Sequence, residues 1–111
     1  MNRIQIKPLS VNQMYIGRRN GTRVKSGKYR TWKKDILYMM PKIKIPDPPY
    51  RIIYEFGFSS KGSDIDNAVK PFQDVLQEVY GFNDNKIHEF TARRVDVKKG
   101  QEYIKFDIIG L

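Results

Sequence analysis

The sequence predicts an α+β fold: a single small domain over residues 1–111, with a mixed β-sheet, two main helices and the element order β-α-β-α-β-β. Three observations lead there. Residues 51–58 (RIIYEFGF) place Ile52, Tyr54, Phe56 and Phe58 on one face, the period-two mark of a strand. Two longer segments, one before and one after it, repeat apolar residues at helical spacing. Two further alternating runs close the chain. With 111 residues, 40% hydrophobic and 30% charged, the chain has the size of one domain and the composition of one that folds.

Taken in order, Ile4 and Ile6 alternate with polar neighbours and suit a short first strand. Residues 8–15 (PLSVNQMY) are turn-rich and read as a loop. Residues 17–28 combine three glycines with Arg18, Arg19, Arg23, Lys25 and Lys28. That is the composition of an exposed, mobile segment, either a solvated loop or a cationic contact surface. Tyr29, Trp32, Ile36 and Met40 recur at i, i+3, i+7 and i+11, a helical stripe that Pro41 stops. Core packing explains Tyr29 and Trp32 more simply than base stacking does. Four of the six prolines fall in 41–50, an extended connector too short to divide domains.

After the strand at 51–58 and the loop SSKGS, Ala68, Val69, Phe72, Val75, Leu76, Val79 and Tyr80 predict a second helix over 67–80, closed by Gly81. Pro71 either opens its regular part or sits late in the first turn at the loss of one hydrogen bond. Residues 88–98 and 102–109 predict two strands joined by Lys99-Gly100-Gln101 as a hairpin.

Composition excludes several chemistries. There is no cysteine, hence no disulfide scaffold, thiol nucleophile or cysteine zinc site. The single histidine, His88, rules out multi-histidine metal sites and leaves little for a histidine-centred triad; it reads as a strand-surface residue. No apolar run approaches the roughly 20 residues of a membrane span, and MNRIQIK lacks the apolar stretch of a signal peptide, so a cytoplasmic location is expected. The 21 basic and 12 acidic residues give a net charge of +9. Residues 1–44 hold 12 basic residues against Asp35 alone, whereas 45–111 hold 9 basic and 11 acidic. The first part looks like a footprint for a polyanion. The second keeps carboxylates that a simple DNA-coating protein has no use for, and that a metal-dependent nuclease needs.

The densest cluster of functional residue types is Asp64-Ile65-Asp66-Asn67-Ala68-Val69-Lys70, between a strand end and a helix start, with Asp84 beyond the helix. A helix from 67 to 80 spans about 20 Å at 1.5 Å per residue. Asp84 therefore reaches Asp64 and Asp66 only if the chain doubles back or a second subunit supplies it. Three carboxylates brought together repel by about 4 kcal/mol per pair at 4 Å and an effective dielectric of 20, and so need protons, cations or a metal. Hard oxygen ligands select Mg²⁺, with Mn²⁺ as substitute, and a metal-activated water could then attack a phosphodiester. Lys70, four residues beyond Asp66, could orient that water or stabilise charge on phosphate. The plainer readings are helix capping for Asp64 and Asp66, an i,i+4 ion pair for Lys70, a turn residue for Asp84 and a solvated face for Asp74 and Glu78.

Asp64-Ile65-Asp66-Asn67-x-x-Lys70, followed by Asp74 and Leu76 and then by Asn83-Asp84-x-Lys86-Ile87, resembles the RusA family of Holliday junction resolvases. These are small crossover junction endodeoxyribonucleases, many of them encoded by phages and prophages. Pro8-Leu9-Ser10-Val11-Asn12-x-x-Tyr15 is similar to that family's Pro-x-Ser-x-Asn-x-x-Tyr opening. The basic loop and the Tyr29–Trp32 helix follow in the family's order, so the resemblance spans nearly the whole chain. It implies that Asp64, Asp66 and Asp84 are metal-binding carboxylates, that Lys70 is a catalytic lysine and that Asn67 supports the loop. Many members have Asp-Asp where this chain has Asn83-Asp84. The family also implies an α+β domain, a homodimer, and a role in DNA recombination and repair in the cytoplasm of a bacterium or phage-infected host.

Symmetry argues for the dimer separately, because resolving a four-way junction takes two matched cuts. Arg18, Arg19, Arg23, Lys25 and Lys28 are the expected DNA contacts, giving affinity without sequence information. Neither a membrane partner nor a small-molecule cofactor is expected. The competing readings are a catalytically inactive basic DNA-binding recombination accessory protein, and a nuclease acting mainly on flaps or forks.

Overall fold

In the computed structural model, which describes residues 1–17 and 19–111, the chain runs β1 (Asn2–Ile4), a 3₁₀ turn (Val11–Gln13), β2 (Tyr15–Gly17), β3 (Arg23–Lys25), α1 (Gly27–Met39), β4 (Tyr50–Phe58), α2 (Ile65–Tyr80), a second 3₁₀ turn (Asp84–Lys86), β5 (Ile87–Asp96) and β6 (Tyr103–Gly110). The fold is α+β, with two helices and a mixed four-stranded sheet of order β1-β6-β4-β5. β4 lies parallel to β5 and antiparallel to β6, which in turn pairs antiparallel with β1.

The period-two pattern of β4 sets the layers. Ile52, Tyr54 and Phe56 are fully buried, joining Ile104 and Phe106 of β6 in one core with Tyr29, Trp32 and Ile36 of α1 and Phe72, Val75 and Leu76 of α2. Arg51 and Glu55 alternate onto the other face, where Glu55 meets Lys105 and Arg93. Burial of that many large apolar side chains is the main source of stability. Tyr29 and Trp32 are core residues, and the Trp32 indole donates to the Lys7 carbonyl at 2.9 Å. Gly57 is fixed by a close approach, since a Cβ there would meet the Tyr103 ring at 2.6 Å.

Several expectations need correction. The first strand is Asn2–Ile4, ending before Ile6. The 8–15 loop contains a 3₁₀ turn with a reciprocal cap between Ser10 and Gln13. Residues 17–28 are not one irregular segment: β2 and β3 pair across them, and α1 starts at Gly27 because Ser26 caps the amide of Tyr29. Arg18 lies outside the described residues. α2 begins at Ile65, two residues before the expected start, since Ile65 extends the apolar stripe onto the core. Pro71 therefore sits inside the helix, leaving the Asn67 carbonyl without its usual partner. Gly81 closes α2 at φ 70°.

The terminal hairpin does not form. β5 and β6 lie on opposite sides of β4 rather than beside each other. The Val97–Glu102 link spans the end of β4, anchored by Val97 N–H on the Phe58 carbonyl at 2.8 Å. Two strand spacings are about 10 Å, within easy reach of six residues. Helix α2 supplies the crossover that makes the β4–β5 pair parallel.

Candidate functional site

Asp64 is the residue on which α2 starts, with an extended backbone (φ −104°, ψ 138°), yet its side chain makes no capping hydrogen bond. The capping explanation of this aspartate therefore fails. Its carboxylate instead accepts a 3.4 Å hydrogen bond from Asn67 Nδ2. It borders a cleft of about 420 Å³ also lined by Lys7, Ser10, Asn12, Ser63 and Asn67. The Pro8–Tyr15 segment and the Asp64–Lys70 segment, far apart in sequence, thus face one another across one cleft.

Asp66 sits in the first turn of α2 and lines a separate groove of about 440 Å³ with Lys70, Gln73, Phe90 and Ala92. Asp64, extended ahead of the helix, and Asp66, in its first turn, thus stand two residues apart at the start of α2. Lys70 does not pair with Asp66. Its ammonium donates to Asp74 Oδ1 at 2.8 Å. That hydrogen bond holds the Lys70 pKa above the usual lysine range, against partial burial, and the fields of Asp74, Asp84 and Tyr15 add to it. Lys70 is therefore a fixed cation at neutral pH, chemically suited to stabilising negative charge and unsuited to abstracting a proton. Glu78 is exposed, as expected of a solvated face, and ties α2 to α1 through Lys33 at 2.7 Å; Asp74 is half-buried and holds Lys70. His88 is exposed on β5, as expected of a strand-surface residue.

Asp84 stands apart from Asp64 and Asp66. β4 and β5 are parallel, so Asp64 follows the far end of one while Asp84 precedes the near end of the other. The 16 residues of α2 separate them by about 24 Å of helix. Among the described residues no group of three His, Asp or Glu is placed to hold a metal ion, so the expected three-carboxylate cluster does not form within one chain. Asp64, Asp66 and Asp84 are all exposed, and none takes part in an ion pair among the described residues. Two exposed carboxylates with an amide and hydroxyls nearby form a hard oxygen donor set. It suits Mg²⁺, which commonly takes one or two carboxylates plus substrate phosphate.

The loop that presents the two aspartates is gripped from both sides, which the sequence reading missed. From β5, Arg94 donates through Nη1 to the Ser63 carbonyl and through Nη2 to the Ser60 carbonyl at 2.8 Å, while its Nε is held by Asp96 at 2.8 Å. On the other side, Glu102 accepts from Ser59 Oγ and from the Gly100 amide, each at 2.7 Å. The Ser59 hydroxyl first, and then neighbouring amides and Lys7, hold the Glu102 pKa below the usual glutamate range despite some burial. A depressed carboxyl pKa contributes stability that is present above the unfolded value and is lost as pH falls through the folded one. Thermal melts should show wild type losing stability from about pH 5 downward. Glu102→Gln should melt lower at neutral pH and show a flatter acid limb; an acid limb unchanged by the substitution would remove this role.

The cations divide into two zones. Arg19 and Arg23 are exposed in the β2–β3 hairpin, while Lys25 and Lys28 lie at the approach to α1. A groove of about 590 Å³ runs along α1, with Lys25, Arg30, Lys33 and Lys34 around Leu37 and Tyr38. Tyr38 is 85% exposed, unusual for so large a ring. The only hint of it in sequence is its place off the Tyr29–Met40 stripe. No helix is long and apolar enough to cross a membrane among the described residues. No family model matches the chain, and a comparison with curated proteins finds no similar sequence.

Proposed function

We propose that this chain is a Mg²⁺-dependent, structure-selective DNA endonuclease of the junction-resolving type, acting as a homodimer in the cytoplasm. One observation carries the reading: Asp64 and Asp66 stand exposed at the start of α2 and without ion pairs among the described residues, with Asp64 withheld from the cap its position invites. Free carboxylates cost a basic DNA-facing protein affinity, so a function must retain them. The resemblance of Asp64-x-Asp66-Asn67-x-x-Lys70, of Asn83-Asp84 and of the Pro8–Tyr15 segment to the RusA family supports the same reading.

In this reading Asp64 and Asp66 hold the divalent ion, with Asn67 orienting Asp64. When bound, the ion supplies charge neutralisation at the scissile phosphate and lowers the pKa of water. Lys70, kept cationic by Asp74, faces the developing charge on phosphate or leaving oxygen. Arg94 and Glu102 keep the 59–63 loop in place. The hairpin cations Arg19 and Arg23, with Lys25, Lys28 and the α1 groove, hold the DNA arms, and the exposed Tyr38 offers a stacking face among cations. Asp84, at the far end of the helix, serves the second subunit's site.

The test is cleavage of a synthetic immobile four-way junction beside flap, fork and linear duplex substrates, with Mg²⁺ or EDTA. Paired symmetric nicks in the junction, lost in EDTA, are expected. Preferred cleavage of flaps or forks would move the substrate to those structures. Salt-sensitive junction binding with no cut in Mg²⁺ or Mn²⁺ would leave a DNA-binding accessory protein.

A further inference from the structure

β5 is an edge of the four-stranded sheet, ten residues long, with no strand on its outer side among the described residues. A long open edge is a template for another strand. The Val97 N–H bond to the Phe58 carbonyl, with the unbroken register from Arg51–Glu89 to Phe58–Asp96, fixes its parity. From Glu89 onward, odd-numbered backbone groups face β4, and those of Phe90, Ala92, Arg94 and Asp96 face outward.

We propose that a second copy of this chain pairs with this edge antiparallel, on a two-fold axis through Thr91, joining the two sheets into one. The strand is complementary to its own reverse about that residue. Within the regular stretch from Glu89 to Asp96, Glu89 meets the partner subunit's Arg93 and Phe90 the partner's Ala92; the register shift between Tyr50 and Arg51 leaves Ile87 and Lys86 outside this pattern. The outward-facing Phe90 and Ala92 then form the hydrogen-bonded pair, and Thr91 meets its own copy in a non-hydrogen-bonded pair. The neighbouring registers that keep this parity are worse. An axis at Phe90 sets Glu89 against the partner's Thr91 and loses the pair of opposite charge; an axis at Ala92 sets Glu89 against the partner's Val95 and Phe90 against the partner's Arg94.

Both faces of the edge fit the same register. On the open face, Arg51 holds Glu89 at 3.3 Å and Glu55 holds Arg93 at 3.9 Å. Pairing about Thr91 joins these into an alternating row, from Arg51 to Glu89 to the partner's Arg93 to the partner's Glu55. Cross-strand pairs of opposite sign favour one register. On the helix face, Phe90 is 52% exposed beside the groove of Ile65, Val69 and Ala92. The partner's Phe90, set opposite Ala92, enters that groove. The strand reversal also turns the partner's Asp84 toward the end of the sheet that carries Asp64 and Asp66. That last consequence rests on the nuclease reading; the interface does not.

The chain contains no cysteine, so Thr91→Cys introduces a single thiol on the axis. Cα atoms of a non-hydrogen-bonded pair are about 4.5 Å apart, within disulfide range. Mild oxidation is expected to convert most of Thr91→Cys to a disulfide dimer. Glu89→Cys, about 14 Å from its symmetry mate, is expected to stay uncrosslinked. Independently, Glu89→Arg should raise the dimer Kd about tenfold, and adding Arg93→Glu should restore it. A wild-type chain that sediments as a monomer at about 100 µM, a Thr91→Cys chain that yields no disulfide dimer, or a double charge exchange that fails to rescue would each overturn the interface. None of these measurements involves DNA or metal: a monomer would also overturn the homodimer of the proposed function, whereas a dimer that yields no Thr91→Cys disulfide, or no rescue by the charge exchange, would overturn this interface alone.

Discussion

Asp66→Asn is expected to lower junction cleavage by about 10³-fold while junction binding stays the same or tightens. The substitution removes one negative charge and keeps the shape. Asp66 is exposed, makes no ion pair among the described residues, and its i,i+4 neighbour Lys70 is engaged by Asp74. Its structural contribution is thus limited to the helix dipole, about 0.3–1 kcal/mol at the first turn. A fall in melting temperature of a few degrees at most is the expected structural cost for a chain of this size. Loss of activity with the fold intact separates a metal-holding carboxylate from a helix-stabilising one. Tighter binding would follow from removing an anion that faces phosphate. Full cleavage activity in Asp66→Asn would overturn the assignment, because nothing else in the groove formed with Gln73, Phe90 and Ala92 offers a carboxylate.

The elements were legible because the chain writes its periods clearly. The alternation of β4 and the stripe from Ala68 to Tyr80 need only backbone geometry to be read, and both are in the core as expected save for Val79, which is exposed. What was not legible is pairing. The spacing around Lys99-Gly100-Gln101 suits a hairpin, yet local spacing cannot say that β4 lies between β5 and β6. That order depends on contacts between residues far apart in sequence, such as Phe58 with Val97. The β2–β3 pair was hidden for a different reason: its strands are three residues each and mostly exposed, so they carry no apolar alternation.

At the candidate site, residue type was legible and orientation was not. Asp64, Asp66 and Lys70 all lie where the strand-to-helix junction was expected. However, Lys70 reaches forward to Asp74 rather than back to Asp66, and either choice satisfies i,i+4 spacing. Arg94 gave no sequence signal as the clamp on Ser60 and Ser63, since its role depends on β5 lying parallel to β4. Correcting the topology is also what sharpens the question of Asp84. With the strands parallel, the chain does not return Asp84 to the start of α2, and the proposed function therefore takes the second of the two routes open in the sequence, supply from a second subunit.

A heterodimer built from Asp66→Asn and Asp84→Asn chains is therefore expected to cut DNA although neither homodimer does. If each site joins Asp64 and Asp66 of one subunit to Asp84 of the other, one site of the mixed dimer carries both substitutions and the second carries neither. Co-expression with two different tags isolates the mixed species. Its rate of nicking should be about half that of wild type per dimer. The products should be single nicks rather than paired cuts, since the opposing site is dead. If Asp84 instead serves its own subunit, each site of the mixed dimer holds one substitution and no cleavage is restored. A silent heterodimer, shown intact by its mass and by junction binding, would return Asp84 to its own chain. It would then require a rearrangement of the segment between Gly81 and Ile87 on binding DNA, because α2 holds that segment about 24 Å away along its axis. The contrast between a restored nick and none is large, and it depends on no assumption about how many metal ions the site holds.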